Sequence, residues 1–208
     1  MTAMKSWSTH YGKRKEIRKR YPSIWRVPLA KQRLELVLRE ARDGASVLDA
    51  GASNRELGDK IREVYPSVIY KTMDIDRAAE HDYYSLDEID EKFDLIVFSE
   101  VIEHLSVEEG TDALKKLRGL LKDGGRLLVT TPNLFHPHRY WDADHRTPYR
   151  YDDLAALLVG CGYSVESIYR LYNDPFVWRL LRIHLGALLH RYLDIDFARQ
   201  IAVVASRG

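Results

Sequence analysis

Short apolar runs alternate along most of the chain with longer stretches in which apolar residues recur at helical spacing. The runs are rich in β-branched and large aliphatic residues and are bounded by turn residues, which predicts buried strands. Strands that alternate with helices are typical of the α/β class, in which a doubly wound, mostly parallel sheet carries helices on both faces. The predicted strands are 46–50, 68–74, 94–99, 126–131, 163–169 and 201–206.

The stretches between these runs have the sequence signals of helix ends. Glycine follows two of them, and the turn Gly124-Gly125 follows a third in the manner of a left-handed helix end. The predicted helices are 29–42, a helix that begins near Asn54, 107–121 and 152–160.

The length and composition of the chain limit the class of protein. A chain of 208 residues is the size of one domain. Apolar residues make up 45% and charged residues 30%, which is typical of a soluble globular protein. The single cysteine, Cys161, excludes an internal disulfide and a cysteine-based zinc cluster, and we expect a buried thiol. Because neither a signal peptide nor a bilayer-spanning run is visible, we expect a cytoplasmic protein.

Basic residues are concentrated at the N-terminus. Residues 1–42 hold 12 Lys and Arg against 3 Asp and Glu, a net charge of +9, and the rest of the chain holds 20 against 28, a net charge of −8. We interpret 1–42 as a basic helical arm that acts as a lid, and 43–208 as the main domain. Because Tyr11, Tyr21 and Trp25 are interleaved with these charges, an arm that attracts RNA or an anionic membrane is the alternative.

Residues 173–193 interrupt the alternation with a helical pattern that is unusually apolar for a connection. Two interpretations are open. In the first, the helical insert packs on the sheet or against a second copy of the chain. In the second, it lines the pocket of an apolar acceptor or makes a peripheral contact with a membrane, where Arg179, Arg182 and Arg191 would meet anionic groups.

The turn after the first predicted strand has the first pattern with chemical meaning. Asp49 ends the strand, and Gly51 allows the backbone to approach a ligand closely. The second strand ends in Asp74, where an acid is placed to hold ribose hydroxyls. A nicotinamide enzyme would require Gly-x-Gly-x-x-Gly after the first strand, which Gly51, Ser53 and Glu56 do not supply.

These features resemble the class I S-adenosylmethionine-dependent methyltransferases over roughly residues 30–170. The resemblance implies a Rossmann-like fold with an antiparallel last strand, and S-adenosylmethionine as the cofactor. The family turn reads Asp-x-Gly-x-Gly-x-Gly, whereas here only the first glycine is kept and Ser53 and Arg55 stand at the other two positions.

The resemblance also implies roles for single residues. Asp49 would accept a hydrogen bond from the cofactor amine, Asp74 would hold the ribose, and Asp82-Tyr83 would contact adenine. The implied cofactor-binding residues are Asp49, Gly51, Ala52, Ser53, Asp74, Ile75, Asp82, Tyr83, Ser99 and Glu100.

A second polar group follows the third predicted strand. If 99–105 is helical, Glu100, Glu103 and His104 lie on one helix face, and two carboxylates with an imidazole suit Mg²⁺ or Mn²⁺. His145, from a later loop, would be a fourth ligand. This pattern resembles the small-RNA 3′-terminal 2′-O-methyltransferases and the O-methyltransferases of ubiquinone biosynthesis. We predict His104, Glu100 and His145 as catalytic residues, with His104 as a general base if no metal is used.

The sequence leaves the methyl acceptor open. The apolar insert and an aromatic loop favour O-methylation of a small molecule, a saccharide or a lipid-linked metabolite. The basic N-terminus favours RNA as the alternative, and the loss of two glycines favours a third interpretation, a binding module that has lost catalysis. The loop residues that could contact an acceptor are His136, His138, Tyr140, Trp141, Tyr149 and Tyr151.

Overall fold

A computed structural model describes residues 7–137, 142–172 and 176–208, and for Trp7, 176–179 and 181–185 it describes the backbone alone. The strands are β1 (Leu29–Ala30), β2 (Ser46–Ala50), β3 (Ile69–Met73), β4 (Phe93–Ser99), β5 (Leu121–Pro132), β6 (Tyr163–Leu171) and β7 (Gln200–Arg207). The α-helices are α1 (Trp7–Arg20), α2 (Arg33–Glu40), α3 (Glu56–Arg62), α4 (Val107–Gly119), α5 (Tyr151–Gly160) and α6 (Phe176–Leu193).

The strands form one seven-stranded sheet in the order β1-β6-β7-β5-β4-β2-β3. Strands β3, β2, β4 and β5 are parallel to their neighbours in that series, and β1 is parallel to β6. The last strand, β7, is antiparallel to both β5 and β6. The predicted Rossmann-like α/β sheet with an antiparallel last strand is therefore confirmed.

Helices cover both faces of the sheet, which explains why the central strands are mostly apolar and buried. Every residue of β2 is buried. One face packs against α2 and α3, and the other packs against α4 and α5. The helix residues buried in the first core are Leu36, Val37, Leu57 and Ile61, and those in the second are Leu114, Leu117, Leu154 and Leu158.

Two predicted boundaries are wrong. The helix predicted over 29–42 begins only at Arg33, because Leu29 and Ala30 pair with the end of β6 as a two-residue strand. A strand this short has no periodicity that a sequence pattern can reveal. Strand β5 begins at Leu121 rather than at 126, although Gly124 does take the left-handed conformation expected of it, with φ of 74°.

The basic N-terminus begins, within the described residues, with helix α1, which packs along α5. The carboxylate of Asp152 is fully buried and accepts from Arg14 Nη2 at 3.1 Å and from Arg18 Nε at 2.5 Å. The hydroxyl of Tyr151 also donates to the Tyr21 carbonyl at 2.8 Å. Two of the basic side chains therefore stabilise the docking of α1 instead of facing solvent freely.

The segment after α6 is fixed to β6 by a buried ion pair and to the residue after β5 by a hydrogen bond. Arg170 Nη1 donates to Asp196 Oδ1 at 2.9 Å, and Asn133 Nδ2 donates to Asp196 Oδ2 at 2.8 Å. The helical pattern predicted for 173–193 is confirmed over 176–193, and residues 173–175 lie outside the described ranges. Within the described residues, no helix has the length and hydropathy needed to cross a bilayer. Cys161 is buried, as expected.

Candidate active site

The turn after β2 is held tightly against the end of β3. The N–H groups of Gly51 and Ala52 donate to the carbonyl of Met73 at 2.7 and 3.3 Å. Gly51 has φ of 82°, and a Cβ built on it would lie 2.1 Å from Cγ2 of Val101. Glycine is needed here both for the left-handed backbone and for the close approach of Val101.

Asp74 follows β3 and faces this turn. Its Oδ2 accepts from the Ser53 N–H at 2.8 Å, and its Oδ1 accepts from the Asp76 N–H at 2.9 Å. Each carboxylate oxygen keeps a further lone pair that could accept from a ribose hydroxyl. The neighbouring Ile75 is 83% exposed, which is unusual for isoleucine and offers an apolar surface that a flat base could cover.

Asp82 and Tyr83, predicted to contact adenine, both have protein partners. The Asp82 carboxylate accepts from the Thr72 N–H at 2.9 Å and from Arg55 Nη2 at 3.0 Å. Burial alone would raise the pKa of Asp82, but the hydrogen bond from Thr72 helps to hold it below its ordinary value. The Tyr83 hydroxyl donates to Glu91. Asp82 therefore fixes its loop to β3.

Asp49 is buried at the carboxyl end of β2. Its Oδ2 accepts from the Tyr70 hydroxyl at 2.7 Å, and burial raises the pKa of Asp49. The positive charge of Arg33, at the start of α2, opposes part of the rise that burial causes in the pKa of Asp49 and of Glu100. Within the described ranges, the half-buried Arg33 guanidinium makes no hydrogen bond or ion pair of its own. A cation without a protein partner of its own in those ranges therefore acts on the buried Asp49 and on the half-buried Glu100.

Glu100 has a strained backbone and a fixed side chain. Its φ of 54° is left-handed, which costs a residue with a side chain about 1 kcal/mol. Its Oε1 accepts from Thr130 Oγ1 at 2.8 Å, and Thr130 Oγ1 lies 2.5 Å from Ser99 Oγ. Burial raises the pKa of Glu100, and hydrogen bonds from Thr130 and Gln200 partly oppose this effect. Strain of this kind is typical of functional sites.

Residues 99–105 do not form the single helix that would place the three side chains on one face. Only Ile102–His104 is helical, as a short 3-10 turn, and Glu100 precedes it in its left-handed conformation. Glu100 and Glu103 therefore leave the backbone in different directions. The Glu100 carboxylate meets Thr130, whereas that of Glu103 meets Thr131.

Glu103 is the most deeply buried acid of this segment, with 1% of its surface exposed. Its Oε2 accepts from Thr131 Oγ1 at 3.0 Å, whereas its Oε1 is buried with no hydrogen-bond partner among the described residues. Burial, followed by the charge of Glu100, raises the pKa of Glu103 to about 8. A buried polar atom without a partner is costly, and a bound cation would satisfy it.

His104 and His145 complete a group with Glu103. The two imidazole centroids are 4.9 Å apart at 76°, and one ligand atom from each of the three residues lies within 4.8 Å of the others. The later loop is fixed here because the N–H groups of Arg146 and Thr147 donate to the Glu103 carbonyl at 2.8 and 3.0 Å. One carboxylate and two imidazoles fit Mn²⁺ or another divalent cation. We call these three residues the Glu-His-His group.

The other candidates do not belong to this group. Glu100 and His136 are not members of it. Tyr149 and Tyr151 are buried, so both pack the loop against the core. His138, Tyr140 and Trp141 fall outside the described residues.

Comparison with known proteins decides the family. A model of the methyltransferase domain matches residues 20–171. The chain belongs to the methyltransferase domain family. No curated protein matches the sequence. The family and the fold together make it an S-adenosylmethionine-dependent methyltransferase of class I, as the turn after β2 and the acid after β3 predicted.

Solved structures share the fold of this methyltransferase at low sequence identity. An S-adenosylmethionine-dependent methyltransferase from Archaeoglobus fulgidus is 15% identical with a TM-score of 0.66, over 95% of this chain and 96% of that one. A complex of the Haloferax volcanii Trm112 methyltransferase activator with a methyltransferase matches at 13% identity with a TM-score of 0.61, over 99% of this chain and 98% of that one. The mitomycin 7-O-methyltransferase MmcR matches at 13% identity with a TM-score of 0.59, over 84% of this chain and 53% of that one.

Sequence reasoning missed three contributors to the site of this methyltransferase. Arg33 lies far from the turn after β2 in sequence, and only the fold brings its charge to Asp49. Val101 looked like an ordinary apolar residue, yet its side chain packs against Gly51. Thr131, which orients Glu103, belongs to the Thr-Thr-Pro-Asn ending of β5, and that polar strand end was the available signal.

Proposed function

We propose that this methyltransferase transfers a methyl group to a hydroxyl oxygen of a small molecule, a saccharide or a lipid-linked metabolite. The observation that supports this proposal most is the Glu-His-His group beside the turn after β2. Val101 links the two, because its side chain packs on Gly51 and its carbonyl accepts from the His104 N–H at 3.0 Å. A hydroxyl near His104 would therefore lie close to a cofactor at that turn.

The chemistry requires a hydroxyl that loses its proton as it attacks. The His104 imidazole could take that proton, which is the role of a general base. A divalent cation, which Glu103, His104 and His145 would hold, lowers the pKa of a hydroxyl that it binds and fixes its position. Thr131 orients Glu103 toward this site through the 3.0 Å hydrogen bond.

We assign the cofactor contacts from charge and position. Asp49 and Glu100 would face the ammonium group, and Arg33 would pair with the carboxylate of the amino-acid part. Asp74 would accept from the ribose hydroxyls. The remaining contacts are the turn residues Gly51, Ala52 and Ser53, with Ile75, Asp82 and Tyr83 near the base and Ser99 beside Glu100.

A small acceptor is favoured over RNA. The mitomycin 7-O-methyltransferase with the same fold acts on an oxygen, as its name states, which supports the same reaction class here. Asp152 engages Arg14 and Arg18, which reduces the charge that α1 offers to a polyanion. If RNA is the acceptor after all, its binding will weaken steeply with salt.

The cation site can be tested without an acceptor. We expect Mn²⁺ bound to the protein to be detected by electron paramagnetic resonance, with binding lost in His104→Ala and in His145→Ala. His136→Ala is the matched control, because this histidine follows β5 but lies outside the Glu-His-His group. Equal Mn²⁺ binding by all four proteins would remove the cation from the proposal and leave His104 as a general base.

The reaction class needs a direct assay. Labelled S-adenosylmethionine is incubated with sets of phenols, saccharides, lipid-linked metabolites and RNA, and the methylated atom is identified by mass spectrometry. We expect label on oxygen of a non-RNA acceptor, and turnover that falls on addition of chelator and returns with Mn²⁺. Label on nitrogen, carbon or RNA alone would contradict the proposal.

A further inference from the structure

The last two turns of α6 present a continuous apolar face to solvent. Leu188, Tyr192 and Leu193 are 57%, 73% and 62% exposed, and Leu189 is exposed beside them. Residues at these spacings share one side of a helix. Large apolar side chains are found singly on most protein surfaces, so four adjacent ones indicate a surface that binds something.

The opposite side of the same turns packs against the protein. A Cβ on Gly186 would lie 3.2 Å from the ring of Phe197, and the His190 ring stacks on Trp25 with centroids 5.2 Å apart. The orientation of the helix is therefore fixed, and the apolar face does not result from a helix that lies loose in solution.

The charge of α6 indicates what covers this face. Its sequence, Phe-Val-Trp-Arg-Leu-Leu-Arg-Ile-His-Leu-Gly-Ala-Leu-Leu-His-Arg-Tyr-Leu, has three arginines and no acid. The first acid is Asp194, immediately beyond the helix. In a two-fold pair of such helices the exposed Arg191 of each copy would approach the other with no carboxylate from either helix to neutralise it. An anionic surface supplies the missing charge.

We propose that the exposed face of α6 binds the surface of an anionic lipid bilayer. The leucines and Tyr192 would enter the interface between headgroups and acyl chains, and Arg191, which is exposed beside them, would pair with lipid phosphates. In this proposal the helix lies on the membrane surface and does not cross the bilayer.

The position of α6 gives this contact a consequence for the active site. The helix connects the end of β6 to the start of β7, and the side chain of Gln200, the first residue of β7, lies close enough to Glu100 to lower the pKa of that carboxyl. The segment after the helix is fixed to Asn133 through Asp196. A bilayer bound to α6 would therefore lie near the carboxyl edge of the sheet, where an acceptor with a lipid tail could enter from the membrane.

Vesicle flotation of the full chain tests the proposal. The protein is mixed with vesicles of phosphatidylcholine alone or of phosphatidylcholine with phosphatidylglycerol, at low and high salt. We expect flotation only with the anionic vesicles and weaker flotation at high salt. The double substitution Leu188→Ser with Leu193→Ser should lower the partition coefficient by at least about tenfold, and Arg191→Gln should lower it by about fivefold.

Matched controls separate the surface from general stickiness. Val64 and Ile69 are 52% and 54% exposed near the β3 edge of the sheet, and Val64→Ser with Ile69→Ser should float like the wild type. Lys60→Gln is the control for the loss of a charge. Each variant is also titrated with S-adenosylhomocysteine, which reports folding and the cofactor site independently of lipid.

Three results would overturn the proposal. In the first, the wild type does not float with anionic vesicles. In the second, the double variant Leu188→Ser with Leu193→Ser floats as well as the wild type. In the third, the wild type is a dimer in solution and the double variant is a monomer, which assigns the face to a second copy of the chain.

Discussion

A methyl group added at Gly51 should destabilise the protein through two separable effects. Gly51→Ala forces alanine into φ of 82°, which costs about 1 kcal/mol. The new Cβ also lies 2.1 Å from Val101 Cγ2, and overpacking of this kind costs about 2 kcal/mol. We therefore expect a loss of about 3 kcal/mol in the free energy of unfolding, measured by urea denaturation.

Gly44 supplies the matched control for this substitution. It has a similar φ of 73°, but a Cβ there meets nothing within 4 Å. Gly44→Ala should therefore cost only the backbone term of about 1 kcal/mol. In a Val101→Ala background the cost of Gly51→Ala should fall to the same value, because the colliding methyl group is gone.

The cofactor site supplies a second measurement on the same variants. Gly51→Ala should weaken the binding of S-adenosylhomocysteine, because the turn or Val101 must move, whereas Gly44→Ala should leave it unchanged. The reasoning is refuted if Gly51→Ala costs no more stability than Gly44→Ala, or if Val101→Ala does not relieve it.

Three further predictions follow from single contacts. Burial alone would raise the pKa of Asp94, but hydrogen bonds, the strongest of them from Lys122, lower it from 3.8 to about 2. Asp94→Asn should therefore lower the free energy of unfolding by about 2 kcal/mol near neutral pH. Urea denaturation should show that this difference between the two proteins shrinks as the pH falls from about 4 toward 2. Arg33→Met should lower the affinity for S-adenosylhomocysteine about tenfold in calorimetry, and it should leave the affinity for 5′-methylthioadenosine, which lacks the carboxylate, unchanged. An equal loss of affinity for both ligands would place the carboxylate elsewhere. Asp152→Ala should release α1 from α5, which should make trypsin cleave faster within 7–20 and lower the free energy of unfolding by about 2 kcal/mol. An unchanged cleavage rate would contradict this prediction.

The sheet was predictable because its central strands are buried on both faces and appear in the sequence as short, mostly apolar runs. The acid after β3 and the turn after β2 were predictable because ligands of such sheets lie at the carboxyl ends of the strands. The two-residue β1 was not, since it is defined by its partner strand and has no pattern of its own.

The geometry around Glu100 was also beyond the sequence. The spacing of Glu100, Glu103 and His104 fits one face of an α-helix equally well, and what breaks the helix is a contact from another strand. The Glu100 N–H donates to the Thr130 carbonyl at 3.1 Å, which continues the sheet for one more residue and precedes the left-handed turn. The approach of His145 likewise depends on loop hydrogen bonds to the Glu103 carbonyl.

Calorimetric titration of S-adenosylhomocysteine into the purified, cofactor-free protein, with and without Mn²⁺, tests the central claim most directly. The account predicts saturable binding at one site per chain, loss of that binding in Asp74→Ala, and a separate Mn²⁺ site that His104→Ala removes while cofactor binding is kept. A folded protein that binds no S-adenosylhomocysteine in either condition would contradict the account.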